Sequence, residues 1–383
     1  MFSEAKVTEI YCLADDFCKE FEKYQEKHMF SSSSTSGKHR NKPNRMSDAE
    51  IMLIMILFHS GGYRCFKHFY LEYVCKHLAH LFPRRVSYNR FVELEKEVLF
   101  PMVIFIKTVL LGTCTGISFV DSTPLRVCRN QRIHIHKTFE GLATRGKCSM
   151  GWFFGFKLHL IINDKGEILN FMFTPADVDD REPLKQGSFL NNIKGKLCAD
   201  KGYIGKTLFE TLFLNGIQLI TKIKNNMKNV LMNINDKILI RKRAVIETVN
   251  DELKNIAQIE HSRHRSFNNF IANALSAIAA YCFFEKKPAI EVEFINDGQL
   301  TLFLIISNSL DIRFKKSILR WSIRCQIFHS IFQCCTRIDN THVDGRWYDT
   351  IVININYTIV SLASSRTVAP RITHSKHSLP IST

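Results

Sequence analysis

The sequence predicts an α/β protein in which a mixed sheet with flanking helices follows an all-α N-terminal domain. Two observations carry this prediction: the first hundred residues divide into short capped helices, and β-rich runs alternate with helices after Phe100. The 383 residues exceed one average domain and suffice for two or three. We therefore divide the chain into a helical part at 1–100, an α/β part at 101–303 and an extension at 304–383.

Each helix of the N-terminal part has its own local signal. Residues 3–27 carry apolar side chains close to the 3.6-residue spacing of an amphipathic helix. Ser47 and Glu50 form a capping box, in which both side chains satisfy free backbone N–H groups at a helix start. Residues 64–81 predict a further helix, and Ser87 can cap the next one.

These short helices with tight breaks suit a helix-turn-helix-like DNA-binding module. Basic side chains cluster at the last cap, and we assign Arg84, Arg85 and Arg90 to DNA contacts. A purely structural role for this cluster stays open, because many helical bundles have basic caps. The polar and basic residues 31–45 predict a linker.

The α/β part is predicted from eight runs with strand or helix patterning. In chain order they are strands 116–121, 154–162 and 167–173, helix 183–190, strand 196–200, helix 206–214, strand 217–223 and helix 243–256. The turn at 163–166 joins the second and third strands into a hairpin. This order of elements is that of a ribonuclease-H-like fold.

Composition indicates a nucleic-acid partner and excludes several classes of protein. The 52 Lys and Arg against 36 Asp and Glu give a net charge of +16, which attracts polyanions. With 23% charged and 45% apolar residues, the chain is neither wholly disordered nor a coiled coil. We expect no membrane partner and a cytoplasmic location, since long apolar runs and a secretory signal are absent. The twelve cysteines, without any C-x-x-C pair, predict buried thiols in a reducing compartment.

Three acids occupy positions that suit a metal site. Asp121 and Asp200 each end a predicted buried strand, and Glu247 lies on a predicted helix whose apolar face packs on the core. Oxygen ligands favour Mg²⁺ or Mn²⁺. Two such ions can clamp the attacking and leaving oxygens of a phosphodiester, and a single carboxylate could not hold both.

Each acid also has a structural explanation. Asp121 can begin a turn, Asp200 can cap the turn that follows it, and Glu247 can pair with Lys254. Taken singly, these explanations are at least as good as catalysis. The combination of three acids on elements in this order, with basic neighbours, favours the catalytic interpretation.

Three segments resemble the catalytic blocks of DDE transposases from bacterial insertion sequences. They are 119–123 (FVDST), 199–203 (ADKGY) and 243–247 (RAVIE), the last followed by Lys254. The last block resembles the pattern Tyr-x2-Arg-x3-Glu-x6-Lys at Arg243, Glu247 and Lys254, and departs from it at Ile240, which replaces the tyrosine. Glu247 follows Asp200 by only 47 residues, which is similar to the branch without a large insertion before the glutamate.

The resemblance implies a recombinase that binds the inverted repeats of its element, hydrolyses a phosphodiester and joins the freed 3′-hydroxyl to target DNA. Asp121, Asp200 and Glu247 would be catalytic and would hold two Mg²⁺ or Mn²⁺ ions. DNA ends and target DNA would be the partners, and a homodimer or higher oligomer would act on them. The alternatives are a ribonuclease-H-like nuclease without joining activity and a basic DNA-binding repressor.

Further residues are assigned to DNA on the strength of their positions. Arg243 and Lys254 flank Glu247 on its helix and can grip phosphates, although intrahelical salt bridges stay an alternative. Lys201 adjoins Asp200, and Tyr203 either stacks on a base or packs beneath the turn. A basic string after the first acid predicts a phosphate-binding surface, with Arg126, Arg129 and Arg132 as contacts.

Two neighbouring groups receive no DNA role. Asp179 and Asp180 lie in a loop before the helix at 183–190, and we do not assign them as metal ligands. The aromatic run at the start of the central hairpin is expected to fill the core; it comprises Trp152, Phe153, Phe154 and Phe156.

The last eighty residues differ in charge usage from the rest. Residues 304–383 contain seven Arg, three Lys and four Asp but no Glu. Our hypothesis is that they form an appended extension outside the catalytic unit, and a small DNA-binding or oligomerisation tail is the alternative.

Overall fold

The computed structural model describes residues 1–29, 44–223, 232–260 and 264–291. Its helices are α1 (Glu4–Met29), α2 (Asp48–Ser60), α3 (Phe66–His68, continued by a π-helix over Phe69–His77), α4 (Tyr88–Glu97), α5 (Leu99–Phe105, continued by a π-helix over Ile106–Leu110), α6 (Glu182–Lys185), α7 (Lys206–Leu214), α8 (Ile234–Lys242), α9 (Ala244–Asn255) and α10 (Phe267–Cys282). Its strands are β1 (Ile117–Cys128), β2 (Thr144–Cys148), β3 (Gly151–Asn163), β4 (Ile168–Pro175), β5 (Gly195–Ala199) and β6 (Ile217–Thr221). The predicted extension at 304–383 and most of the predicted linker at 31–45 lie outside these residues.

The N-terminal helices pack around α2, which is buried on almost every side. Its predicted capping box is confirmed: the Ser47 hydroxyl accepts from the Glu50 N–H at 3.2 Å, and the Glu50 carboxylate accepts from the Ser47 N–H at 2.8 Å. Helices α1 and α10 flank α2, and α4 also contacts it. A helix without a polar face needs such neighbours on all sides.

The strands form one mixed sheet, as the sequence predicts. It runs β4-β3-β1-β5-β6, and β2 pairs with the first half of β3. Strand β3 is antiparallel to β1 and β4, whereas β1, β5 and β6 are parallel. Helices lie on its faces, with α7 against β6 and α9 against β1. The predicted ribonuclease-H-like α/β fold is therefore confirmed.

Several elements depart from the prediction, and helices α5 and α10 were not predicted at all. Strand β1 continues to Cys128, so Asp121 lies within a strand instead of at its end. Strand β2 at Thr144–Cys148 was not expected, because its sequence TRGKC has no apolar alternation. Helix α8 lies in a basic stretch that carries little periodicity, and it is tied to the sheet by an ion pair between Asp236 and Lys196 at 2.7 Å.

The main hydrophobic core continues across residue 100. Helix α5 begins at Leu99, and side chains of α1, α2 and α4 share one buried cluster with those of β1, β3 and α10. A smaller core lies on the other face of the sheet, under α6 and α7. Cys18 and Cys198 are buried as expected, but Cys12 and Cys65 are exposed. In the described ranges, no helix combines the length and apolar character that a membrane span requires.

Candidate active site

Two neighbouring parallel strands bring Asp121 and Asp200 to the same edge of the sheet. Phe119 of β1 pairs with Cys198 of β5, so each aspartate stands two residues beyond the last paired position. Glu247 comes from α9, which packs against β1 through its apolar face. Parallel strands direct their carboxyl ends to one crevice, which accounts for the convergence.

The Arg243 guanidinium lies between all three carboxylates. Its nitrogens are 3.7 Å from an Asp121 oxygen, 3.8 Å from an Asp200 oxygen and 3.0 Å from a Glu247 oxygen. The Arg243 side chain is 13% exposed, whereas those of Asp200 and Glu247 are 50% and 61% exposed. The site is thus open to solvent on the side of these two acids and closed beneath the guanidinium.

Charge in this site is only partly balanced. Three carboxylates face one guanidinium, which leaves an excess of negative charge. Burial raises the pKa of Asp121 to about 6, against the lowering effects of Arg243 and of a hydrogen bond from the Ser122 N–H; Glu247 and Asp200 raise it further. A further cation beside Asp121 would offset the free-energy cost of burying its ionised carboxylate.

Asn250 is a site residue that sequence reasoning missed. Its side-chain amide donates a hydrogen bond to the second Asp121 oxygen at 3.2 Å. Asn250 is buried and stands three residues after Glu247, on the helix face that meets β1. Its spacing from Arg243 and Glu247 is the signal that could have revealed it, since residues three and four apart share a helix face.

The donor set suits a hard divalent cation, although its present arrangement does not close around one. Carboxylate oxygens are the preferred ligands of Mg²⁺ and Mn²⁺, and the three acids already share one cationic group. Within the described part of the chain, no group of three or more His, Cys, Asp or Glu side chains is placed to hold a metal as it stands.

The residues near the acids that were predicted to contact DNA differ in their exposure and in their partners. Lys254 lies 3.7 Å from a Glu260 oxygen instead of pairing with Glu247. Lys201 is exposed beside Asp200. Tyr203 is only 2% exposed and packs in the smaller core, so its assignment to DNA is corrected: a buried ring offers no face to a base.

The basic cluster at the cap of α4 lies on the helical part of the molecule. Arg85 donates to the Ala79 and Phe82 carbonyls at 2.7 and 2.9 Å, which fixes the preceding turn. Arg90 donates to Glu93 at 2.8 Å, and Arg84 is exposed. Their role in DNA binding stays a prediction, and Arg85 has a structural role in addition.

The basic string after Asp121 lines a groove of about 900 Å³. Arg126, Arg129 and Arg132 all border it, and so does Trp152. Trp152 is 53% exposed, which corrects the expectation that it fills the core; Phe153, Phe154 and Phe156 are buried as expected. Trp152 shares a face of β3 with the buried Phe154 and Phe156, but it lies at the start of the strand, opposite the exposed Lys147 of β2.

Asp179 and Asp180 are engaged elsewhere. Asp179 accepts hydrogen bonds from the Arg181 guanidinium, and this interaction lowers the pKa of Asp179. Asp180 pairs with Lys157 at 2.9 Å. Neither acid approaches Arg243 in the contacts described above, in agreement with their exclusion from the predicted site.

The fold and site together define the class of domain: an α/β domain of ribonuclease-H-like topology with three carboxylates gathered over the edge of its sheet. Residues 111–267 match the family model described as "Transposase DDE domain", and this segment contains all three acids. This segment is therefore similar to the DDE domain of transposases, as the sequence motifs predict.

Comparisons with other proteins add little to this assignment. A search of curated protein sequences gives no match. Among solved structures, the chain is similar to piggyBac transposase in its synaptic complex with hairpin DNA, with a TM-score of 0.42, 9% identity and coverage of 95% of this chain and 91% of that chain. It also aligns with the Mos1 strand transfer complex, with a TM-score of 0.19, 10% identity and coverage of 68% and 84%. At these scores neither similarity supports an argument about function.

Proposed function

We propose that this protein is the transposase of a bacterial insertion sequence, which binds the terminal inverted repeats and catalyses cleavage and strand transfer of DNA. The observation that carries the proposal is the meeting of Asp121, Asp200 and Glu247 around the Arg243 guanidinium. The transposase DDE domain supports it, because the matched segment spans all three acids. The short interval between Asp200 and Glu247 favours the branch without a large insertion.

In this proposal the three acids hold two Mg²⁺ or Mn²⁺ ions. When bound, the ions supply Lewis acidity that activates water or a 3′-hydroxyl and stabilises the leaving oxygen. Asn250 orients the Asp121 carboxylate through its hydrogen bond, and burial of Asp121 strengthens its attraction for any nearby cation. Positioning of the DNA and electrostatic stabilisation of the transition state then account for most of the rate acceleration.

Arg243 and Lys254 are proposed to hold phosphates beside the scissile bond. Arg243 is free to do so once its guanidinium leaves the carboxylates, since the guanidinium fork matches a phosphate as well as a carboxylate. Lys254 stands seven residues after Glu247 on the same helix. Lys201 extends this basic surface at the exposed side of Asp200.

The decisive experiment is a cleavage and joining assay on DNA carrying the flanking ends of the protein's own element. We expect Asp121→Asn, Asp200→Asn and Glu247→Gln each to lower both activities by about a hundredfold or more, since each removes a charge from the site. Asp179→Asn is the matched control and should keep activity, because its carboxylate pairs with Arg181. Retention of cleavage by all three site variants would refute the assignment.

The alternatives make different predictions in the same assay. A nuclease cuts in Mg²⁺ or Mn²⁺ but never joins a 3′-hydroxyl end to plasmid DNA. A repressor binds DNA without metal and cuts nothing, so its carboxylates would be structural. The gathering of three acids around one guanidinium disfavours the repressor, since like charges held close together repel one another.

Action on paired DNA ends would involve a homodimer or higher oligomer, and a cytoplasmic, nucleoid-associated location would follow from a bacterial DNA substrate. Both belong to the proposal. Sedimentation of the protein with and without its element ends would measure the oligomeric state on DNA.

A further inference from the structure

We propose that the groove around Trp152 binds unpaired DNA bases, with the indole ring as a stacking platform and the arginines around it as phosphate contacts. This groove, the Trp152 groove, is bordered by Arg126, Arg129, Arg132, His136 and His264 in addition to Trp152. The proposal rests on the proposed function for its biological setting, but its physical basis is independent of catalysis.

The charge of the groove suits a nucleic-acid strand. Three arginines line it, and none of the described residues along its wall is an acid. Burial lowers the pKa of His264 to about 4, so this imidazole is neutral at pH 7 and adds hydrogen-bonding capacity without charge. The Nε2 atoms of His136 and His264 are buried and have no hydrogen-bond partner among the described residues.

The position of Trp152 is fixed by strand pairing. Trp152 of β3 stands directly opposite Lys147 of β2, and Arg145 occupies the diagonal position on the same face. The Lys147 ammonium lies 6.0 Å and the Arg145 guanidinium 5.4 Å from the centre of the indole ring. An exposed tryptophan held by a sheet and flanked by cations is the arrangement that single-stranded nucleic-acid binding requires.

The groove adjoins the site of the three acids. Arg126 follows Asp121 by five residues on β1, which spans roughly 17 Å at about 3.3 Å per residue. Glu260 bridges the two regions: its carboxylate lies 3.7 Å from Lys254 and accepts a hydrogen bond from the Arg126 N–H at 3.2 Å. A DNA strand with its scissile phosphate at the acids would reach the groove after about five nucleotides at 3.4 Å each.

Unpaired bases fit the groove better than a duplex does. Base stacking on an aromatic ring needs an open π-face, and paired bases present only their edges in the grooves of a duplex. Trp152 is 53% exposed, so about half of its surface is open to solvent beside the two cations over its ring. Stacking makes no demand on sequence, so the groove would hold unpaired DNA of any composition beside the cut.

Fluorescence anisotropy of a labelled oligothymidylate of about 15 nucleotides tests the proposal on the full chain. The titration is done in EDTA, so that cleavage cannot contribute, and is repeated with a duplex of the same length. We expect Trp152→Ala to weaken binding of the single strand about tenfold and to leave duplex binding unchanged. Trp152→Phe should stay within about threefold of the wild type because it keeps a ring.

Phe209→Ala is the matched control, since Phe209 is an exposed aromatic residue on α7 and 46% exposed. It should bind the single strand as the wild type does. Equal binding by Trp152→Ala and the wild type, or an equal loss on both DNA forms, would overturn the proposal. Single-strand binding through Trp152 without any cleavage in Mg²⁺ would refute only the transposase function, and cleavage without a Trp152 effect would refute only the groove.

Discussion

The Arg243 guanidinium occupies the position between the acids that a catalytic cation would compete for. Its contacts with Asp121, Asp200 and Glu247 neutralise part of their charge. The same side chain is proposed to hold a phosphate during catalysis, so one residue would serve two roles in the site.

His59 gives a prediction at the scale of a single residue. It is fully buried at the end of α2, its Nδ1 lies 2.6 Å from the Ala257 carbonyl, and burial lowers its pKa to about 4. The His59 imidazole binds a proton near pH 6.5 in the unfolded chain but only near pH 4 in the folded chain. Its contribution to the free energy of unfolding is therefore complete above pH 6.5. It is lost as the pH falls toward 4.

Lowering the pH from 7 to 5 should therefore cost the wild type about 2 kcal/mol of unfolding free energy through His59. The His59→Gln variant should not show this loss. Urea unfolding of both proteins at the two pH values measures the difference, and effects of all other groups cancel. The exposed His134 offers the control variant His134→Gln. An identical difference at both pH values would show that His59 is not held neutral by burial.

At the scale of elements, the pairing of β1 with β3 supports both the acids and the Trp152 groove. Gly155 pairs with Arg126 just before an irregularity in the register of β1. Its φ is +154°, and a Cβ at this position would lie 2.1 Å from the Leu125 carbonyl oxygen. The strands can approach this closely only where a side chain is missing.

Gly155→Ala should accordingly destabilise the protein by about 2 kcal/mol or more, through backbone displacement and the strained φ. Gly187→Ala serves as the control, because nothing lies within 4 Å of its Cβ position. Denaturant unfolding of both variants measures the effect. A Gly155→Ala variant as stable as the Gly187→Ala variant would mean that β1 and β3 separate there at little cost.

At the scale of the whole molecule, the described residues that form the proposed site and the Trp152 groove lie between Asp121 and His264. We expect a chain ending at Phe303 to keep cleavage and strand transfer, since the hypothesis treats residues 304–383 as an appended extension. The measurement compares both activities of the full and shortened proteins at equal concentrations of folded protein. Loss of activity in a soluble, folded shortened chain would favour the DNA-binding or oligomerisation tail instead.

The sequence alone determined much of the order of elements and identified the three acids that meet around Arg243. Helix caps, apolar spacing and turn residues act over a few positions, so helix α7 and the capping box of α2 were predicted correctly. The mixed sheet with flanking helices followed because strands alternate with helices along the chain. Asp200 and Glu247 could be assigned to their elements because each lies on or beside a short strand or helix with a local sequence signal.

Tertiary structure decided which side chains meet and which are buried. The central place of Arg243, the hydrogen bond from Asn250 and the link from Lys254 to Glu260 all join residues of different elements or turns. Trp152 was expected in the core and is exposed, and Tyr203, for which stacking and packing were both open, is buried, because burial depends on what distant segments pack over a residue. Local pattern fixes the direction of a side chain within its element, and only the packing of elements fixes what it faces.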